Sequence, residues 1–182
     1  PDHREFYEKR QFCSSRELDI CEVIISGSRI PIGTDLLFAC RQFEHVKIGI
    51  EICEDLWAPL QPSTSAAMAG ATLICNLSAS NIVIGKAEYR RLLVKASSGR
   101  NICGYVYCSA GEGESTTDMA WDGHMIIAEN GALVEESKRF SAESDCIITD
   151  LDLEKLQFER LRNNSFRDSA AEYCNNGRCF RT

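Results

Sequence analysis

Three apolar runs rich in β-branched residues, at 46–52, 72–77 and 102–108, are separated by stretches of helix-forming composition at 63–69 and 87–98. A strand–helix–strand repeat of this kind needs crossover connections, which set neighbouring strands parallel and lay the helices against the sheet. Further runs at 23–25, 36–39 and 125–128 also read as strands. The last is followed by Asn130-Gly131 and the stretch 132–135, which predicts a tight hairpin and so an antiparallel pair beside the parallel ones. A strand is predicted at 146–149 and an amphipathic helix at 152–162, where Leu153, Leu156, Phe158 and Leu161 recur at helical spacing. The fold class is therefore α/β with a mixed sheet. From Arg162 onward the polar, Asn-rich chain predicts a linker or tail.

Charge and cysteine usage narrow the function classes. A net charge of -7 and a pI near 5.1 argue against nucleic acid and anionic membranes, because binding phosphates needs clustered Lys and Arg. No apolar run approaches the ~18 residues of a membrane span. Many of the 10 cysteines lie inside apolar runs, where Cys acts as a small hydrophobe. They predict mostly reduced core residues and a cytoplasmic protein. Cys103 with Cys108, and Cys174 with Cys179, lack the neighbouring His or second Cys pair of a metal site, so no metal is expected.

Val46, Ile48, Ile50 and Ile52 alternate with other residues, which predicts a strand with this isoleucine face well buried. Glu54-Asp55-Leu56-Trp57 breaks the pattern at once, leaving Cys53 at the C-terminal edge of the strand. That edge is where open α/β sheets bind ligands, and a sharp turn there can present a nucleophile. Composition alone favours the plainer reading, one more buried Cys. Glu51, Glu54 and Asp55 surround the thiol with like charge that opposes a thiolate, so a cation or base must come from elsewhere. His45 lies at the far end of the same strand, about 25 Å away at ~3.3 Å per residue. His124 opens a strand and reads as structural.

The block Gly49-Ile50-Glu51-Ile52-Cys53-Glu54-Asp55 resembles the nucleophile strand and elbow of nitrilase-superfamily amidases. Phe6-Tyr7-Glu8-Lys9-Arg10-Gln11-Phe12 is similar to the segment in which those enzymes carry a second, orienting glutamate, here Glu8. Asn76-Leu77-Ser78-Ala79-Ser80, Ala87-Glu88-Tyr89-Arg90-Arg91 and above all Gly111-Glu112-Gly113-Glu114-Ser115-Thr116-Thr117-Asp118 narrow the resemblance to the glutaminase domains of glutamine-dependent NAD synthetases.

The resemblance spans about residues 4–168. It implies a nitrilase-like α-β-β-α sandwich, incomplete on its N-terminal side, over 1–168, with 169–182 a linker or atypical tail.

It also implies a Glu-Lys-Cys triad of which only Cys53 is present, the lysine and base glutamate falling before residue 1, so that the isolated chain is expected to be inactive. Cys53 would attack the side-chain amide of glutamine. Ammonia would pass to a synthetase domain that uses ATP and magnesium to amidate deamido-NAD, while this span itself would hold no cofactor. For the substrate's α-ammonium the reading selects Glu54, helped by Ser80. Lys86 is selected for the α-carboxylate, although Lys lacks the bidentate fork of the arginine common there. Trp57 would wall the aliphatic part, and a homo-oligomer is implied. An amidase for another amide, or a non-catalytic nitrilase-like module, stand as alternatives.

Overall fold

The computed structural model describes residues 2–3, 6–7, 10–114, 119–175 and 180–182. Two small pairs come first: β1 (Asp2–His3) with β2 (Phe6–Tyr7), and β3 (Glu22–Ile25) with β4 (Ser28–Pro31) across a Ser26-Gly27 turn. The second pair explains the apolar run at 23–25, although its partner strand carries no pattern that would have marked it.

The centre is a six-stranded sheet. It contains β5 (Phe38–Ala39), β6 (Lys47–Ile52), β7 (Leu73–Ser78), β8 (Gly104–Ser109), β9 (Met125–Glu129) and β10 (Ala132–Glu136), in the order β10-β9-β8-β7-β6-β5. The pairs β6·β7 and β7·β8 are parallel, and the other three are antiparallel. The parallel crossovers are α1 (Pro62–Met68) and α2 (Lys86–Asn101), as the strand–helix repeat requires. Asn130 and Gly131 turn the β9·β10 hairpin at φ of 46° and 85°, the left-handed pair such a turn needs.

The core lies between the sheet and these helices, with Ile74, Val94, Tyr105, Tyr107, Ile126 and Ala128 enclosed. On β6 the face turned to the helices is Gly49 and Glu51, which corrects the expected isoleucine face: Ile50 and Ile52 are 47% and 58% exposed. The reason is space. A Cβ at Gly49 would meet the Ala66 Cβ at 2.8 Å, so glycine lets α1 pack directly on the strand. Leu77 and Cys108 share the uncovered sheet face with the two isoleucines. The described residues thus form one helix layer on one sheet.

Three other expectations change. Residues 146–149 form no strand, with Ile148 85% exposed, because among the described residues no strand pairs with them. The stretch after Arg162 is not a plain linker: α3 (Leu153–Arg162) is followed by α4 (Asn164–Asn175). At the far end Arg181 pairs with Leu36 and grips Asp35 through two hydrogen bonds of 2.8 and 2.9 Å, which hold the Asp35 carboxyl below its usual range. Finally, all nine described cysteines are free thiols, but Cys13, Cys21, Cys108, Cys146 and Cys174 are exposed; only Cys53 and Cys103 are buried. Burial pushes the Cys103 thiol up to about 12.

Candidate active site

Strand β6 ends at Ile52, and Cys53 opens a 3-10 turn, Cys53–Trp57. Cys53 has φ of 48° and is only 7% exposed. A non-glycine residue in the left-handed region is uncommon and strained, and persists only where the surroundings over-determine it. Here one clamp is local: the Asp55 carboxylate accepts the Ile52 N–H at 2.8 Å.

A second clamp lies beneath the sheet. Glu51, 2% exposed, accepts the Ser63 N–H at 2.9 Å, the Asn76 Nδ2 at 3.3 Å and the Tyr105 hydroxyl. Two of the three acids that the sequence set against a thiolate are therefore engaged by donors, which fixes their positions but leaves their charge in place; Glu54 is half-buried in the turn.

The parallel register carries the site sideways. Glu51 stands opposite Asn76, and Asn76 opposite Tyr107, so the ends of β6, β7 and β8 form one shelf. Beyond the strand ends, Ser80 is buried with an unpartnered Oγ, while its backbone N–H donates to the Ser109 Oγ at 3.4 Å. The Trp121 Nε1 is likewise buried without a partner. The Tyr107 hydroxyl makes no close hydrogen bond. Burial raises the Tyr107 phenol above its ordinary range, opposed by the Arg90 guanidinium stacked 5.4 Å from the ring centre and by the Ser78 and Ser109 side chains near the hydroxyl. Buried polar atoms normally find partners, so the orphans at this end of the sheet are exceptions that call for an explanation.

Arg90 holds the shelf from behind. Its NH1 donates to Asp122 at 2.9 Å and to the His124 Nδ1 at 2.9 Å, and its NH2 reaches the Ser80 carbonyl at 3.5 Å. His124 Nδ1 is thereby an acceptor, so Nε2 carries the proton that it donates to Glu136 at 2.5 Å. Burial lowers the His124 imidazole below its ordinary value, which suits a neutral ring beside Arg90. His124 is thus structural, as the sequence suggested.

The remaining candidates fall at the same strand ends. Trp57 stacks on Tyr89 at 5.6 Å between centres, and the Lys86 Nζ lies 5.6 Å above the Trp57 ring while donating to Asn81 at 2.7 Å. The fold thus brings Cys53, Glu54, Trp57, Ser80 and Lys86 to one edge of the sheet. Glu8 lies outside the described residues. Sequence reasoning missed Glu51 as a hydrogen-bond hub, and missed Tyr107 and Arg90. The one available signal was that Tyr105 and Tyr107, two apart in a strand, share a face.

The model of the carbon-nitrogen hydrolase family matches residues 2–160. The glutamine-dependent NAD(+) synthetase of Mycobacterium tuberculosis is 48% identical over 169 residues, covering 93% of this chain and 25% of that protein. The enzyme of the same name from Thermotoga maritima is 33% identical over 157 residues, covering 85% and 23%. Among solved structures, a glutamine-dependent NAD(+) synthetase from Cytophaga hutchinsonii aligns with a TM-score of 0.61 and 32% identity, covering 74% of this chain and 21% of that one. Nit3 of Saccharomyces cerevisiae, of the nitrilase superfamily, shares the fold at a TM-score of 0.58 and 23% identity, covering 76% and 48%. The chain spans about a quarter of the length of the curated relatives it matches.

Proposed function

This chain belongs to the carbon-nitrogen hydrolase family, and from that premise we propose that it carries the nucleophile half of a glutaminase site. The observation that carries this reading is Cys53, held left-handed at the end of the first of three parallel strands, with the buried Ser80 hydroxyl unpartnered beyond the end of the next one. The Cys53 Sγ bonds to the amide carbon of glutamine, the C–N bond breaks, and ammonia leaves with a proton from the general base. Water then cleaves the thioester to glutamate and restores the thiol. Backbone N–H groups of the turn after Cys53 meet the developing oxyanion. Glu54 takes the α-ammonium, Ser80 hydrogen-bonds the substrate, Lys86 takes the α-carboxylate, and Trp57 walls the methylenes.

The assisting lysine and the base glutamate come, on this reading, from outside residues 1–182, with Glu8 orienting them, and the chain alone turns glutamine over slowly at best. A second sheet covers Ile50, Ile52 and Leu77 and completes the sandwich. Ammonia passes to a synthetase domain that uses ATP and magnesium to amidate deamido-NAD, in a cytoplasmic homo-oligomer. The free thiols suit a reducing compartment.

The test is labelling with the chloromethyl ketone analogue of glutamine, mapped by mass spectrometry. Cys53 should be alkylated first, with chloride displaced by the sulfur, and excess glutamine should slow the reaction. Preferential labelling of another cysteine, or a rate that glutamine leaves unchanged, overturns the assignment.

A further inference from the structure

We propose that Glu51, a buried carboxylate the mechanism does not use, is a positioning residue that holds the nucleophile turn shut and keeps Cys53 in its left-handed conformation. The proposal rests on the glutaminase reading for its consequence, but its geometry stands apart from that reading.

Among the described residues no Lys, Arg or His makes an ion pair with Glu51; its charge is met by three neutral donors. These donors belong to three separate elements. Asn76 is on β7, Tyr105 is on β8, and the Ser63 N–H is in the first turn of α1, where the chain returns after its excursion from Cys53. Glu51 therefore ties the residues before the nucleophile to the residues that end its turn. The closure is continued by side chains. The Ser63 Oγ lies 3.4 Å from the Ser97 Oγ, which donates to the Gln61 Oε1 at 3.2 Å, and the Gln61 Nε2 donates to the Leu56 carbonyl inside the turn. Every link is buried.

A carboxylate is the one side chain of this size with acceptor capacity for all three donors. Oε2 takes Ser63, and Oε1 takes Asn76 and Tyr105. Glutamine offers a single acceptor oxygen, so Glu51→Gln must set its amide N–H groups against at least one buried donor. Tyr105 can rotate its hydroxyl to accept, but neither the Ser63 N–H nor the Asn76 Nδ2 can, and the Asn76 Oδ1 already accepts from the Ser78 hydroxyl, so one of the two loses its acceptor whichever way the amide turns. Leaving one buried donor unmet costs enough to open a strained turn. With the hub split, Cys53 can relax toward negative φ and its thiol moves out of register with the site.

The experiment compares the wild-type chain with Glu51→Gln and Tyr105→Phe, using two electrophiles. Iodoacetamide, which needs no binding site, reports how open the turn is. Mass mapping gives the rate at Cys53, with the buried Cys103 as an internal reference. The glutamine chloromethyl ketone reports alignment through its limiting rate and its half-saturating concentration. In Glu51→Gln, iodoacetamide should reach Cys53 about tenfold faster with Cys103 unchanged, while the limiting chloromethyl ketone rate falls about tenfold at a half-saturation within about twofold. Tyr105→Phe, which spares the Ser63 link, should move both rates in the same directions by less.

Parallel acceleration at Cys53 and Cys103 means that the whole core has loosened and overturns the proposal, as does wild-type behaviour of Glu51→Gln. If the chloromethyl ketone fails to label wild type at Cys53, the glutaminase reading falls, and the iodoacetamide ratio alone decides the clamp.

Discussion

The parallel strands place a strained, left-handed residue at each of their two ends, and the two are supported in opposite ways. At the N-terminal ends Ile102, at φ of 45°, closes α2 just before β8. There the buried Arg160 donates to the Ile102 carbonyl at 3.0 Å, to Asn101 at 2.9 Å and to Ala71 at 2.6 Å, and lies 4.8 Å from the Phe166 ring centre. Burial holds the guanidinium down to about 10, still a cation at neutral pH, where it faces the negative C-terminal end of α2. At the C-terminal ends Cys53 is strained too, while Ser80, just beyond the end of β7, keeps a buried hydroxyl without a partner. The Asn101 Oδ1 is also buried without a partner at the Ile102 end, so orphaned atoms do not separate the two ends. What separates them is the charged brace of Arg160 on Ile102, which stabilises the fold, against a thiol at Cys53, which can act on something else.

The largest expected effect breaks function alone. Cys53→Ala should abolish the glutamine-protected labelling by the glutamine chloromethyl ketone while changing the unfolding free energy from urea titration by no more than about 0.5 kcal/mol, since it removes one sulfur from a strained site. A large loss of stability would mean that the Cys53 end is structural after all.

Arg160→Leu tests the opposite end. It should cost about 3 kcal/mol by urea titration, because the buried carbonyls lose a charged donor and gain none. The iodoacetamide rate at Cys53 in the folded protein should stay at the wild-type value, and a matching change in that rate would show that the two ends are coupled.

The His124 network gives a pH dependence whose sign can be worked out. The imidazole is lower in the folded protein than its unfolded value of about 6.5, so folding favours the neutral ring. Its contribution is present above that pH and lost as pH falls below it, when the unfolded chain binds the proton more readily. Burial opposes ionisation of Glu136, but hydrogen bonds from Arg91 and His124 outweigh it and hold the carboxyl low; its contribution is likewise lost on acidification. Unfolding midpoints followed from pH 7 downward should decline, and His124→Gln should flatten the first part of that decline. A wild-type slope in the variant would sink this account.

The smallest effect sharpens the contrast most. Tyr107→Phe removes a buried hydroxyl that makes no close hydrogen bond and has only the Ser78 and Ser109 side chains near it, so stability should change by less than about 0.5 kcal/mol, while the half-saturating chloromethyl ketone concentration should rise by about threefold. Destabilisation without a binding change would show that the hydroxyl serves the fold.

The sequence by itself determined the elements of the centre. The strand–helix repeat fixed β6, α1, β7, α2 and β8, Asn130-Gly131 fixed the hairpin, and the break after Ile52 marked Cys53, because these signals are local in the chain. The family blocks also drew attention to Ser80 and Lys86 before any geometry was known. Tertiary structure alone decided the rest. Alternation shows that Gly49 and Glu51 oppose Ile50 and Ile52, but which pair is buried depends on where the helices land, and Gly49 decided that by admitting Ala66. The hub at Glu51, the shelf from Asn76 to Tyr107 and the brace at Arg90 unite residues 25 to 54 positions apart, and no single stretch encodes their register. A strand prediction also fails where no neighbour exists, as at 146–149, because strands are stabilised by partners that the local chain does not contain.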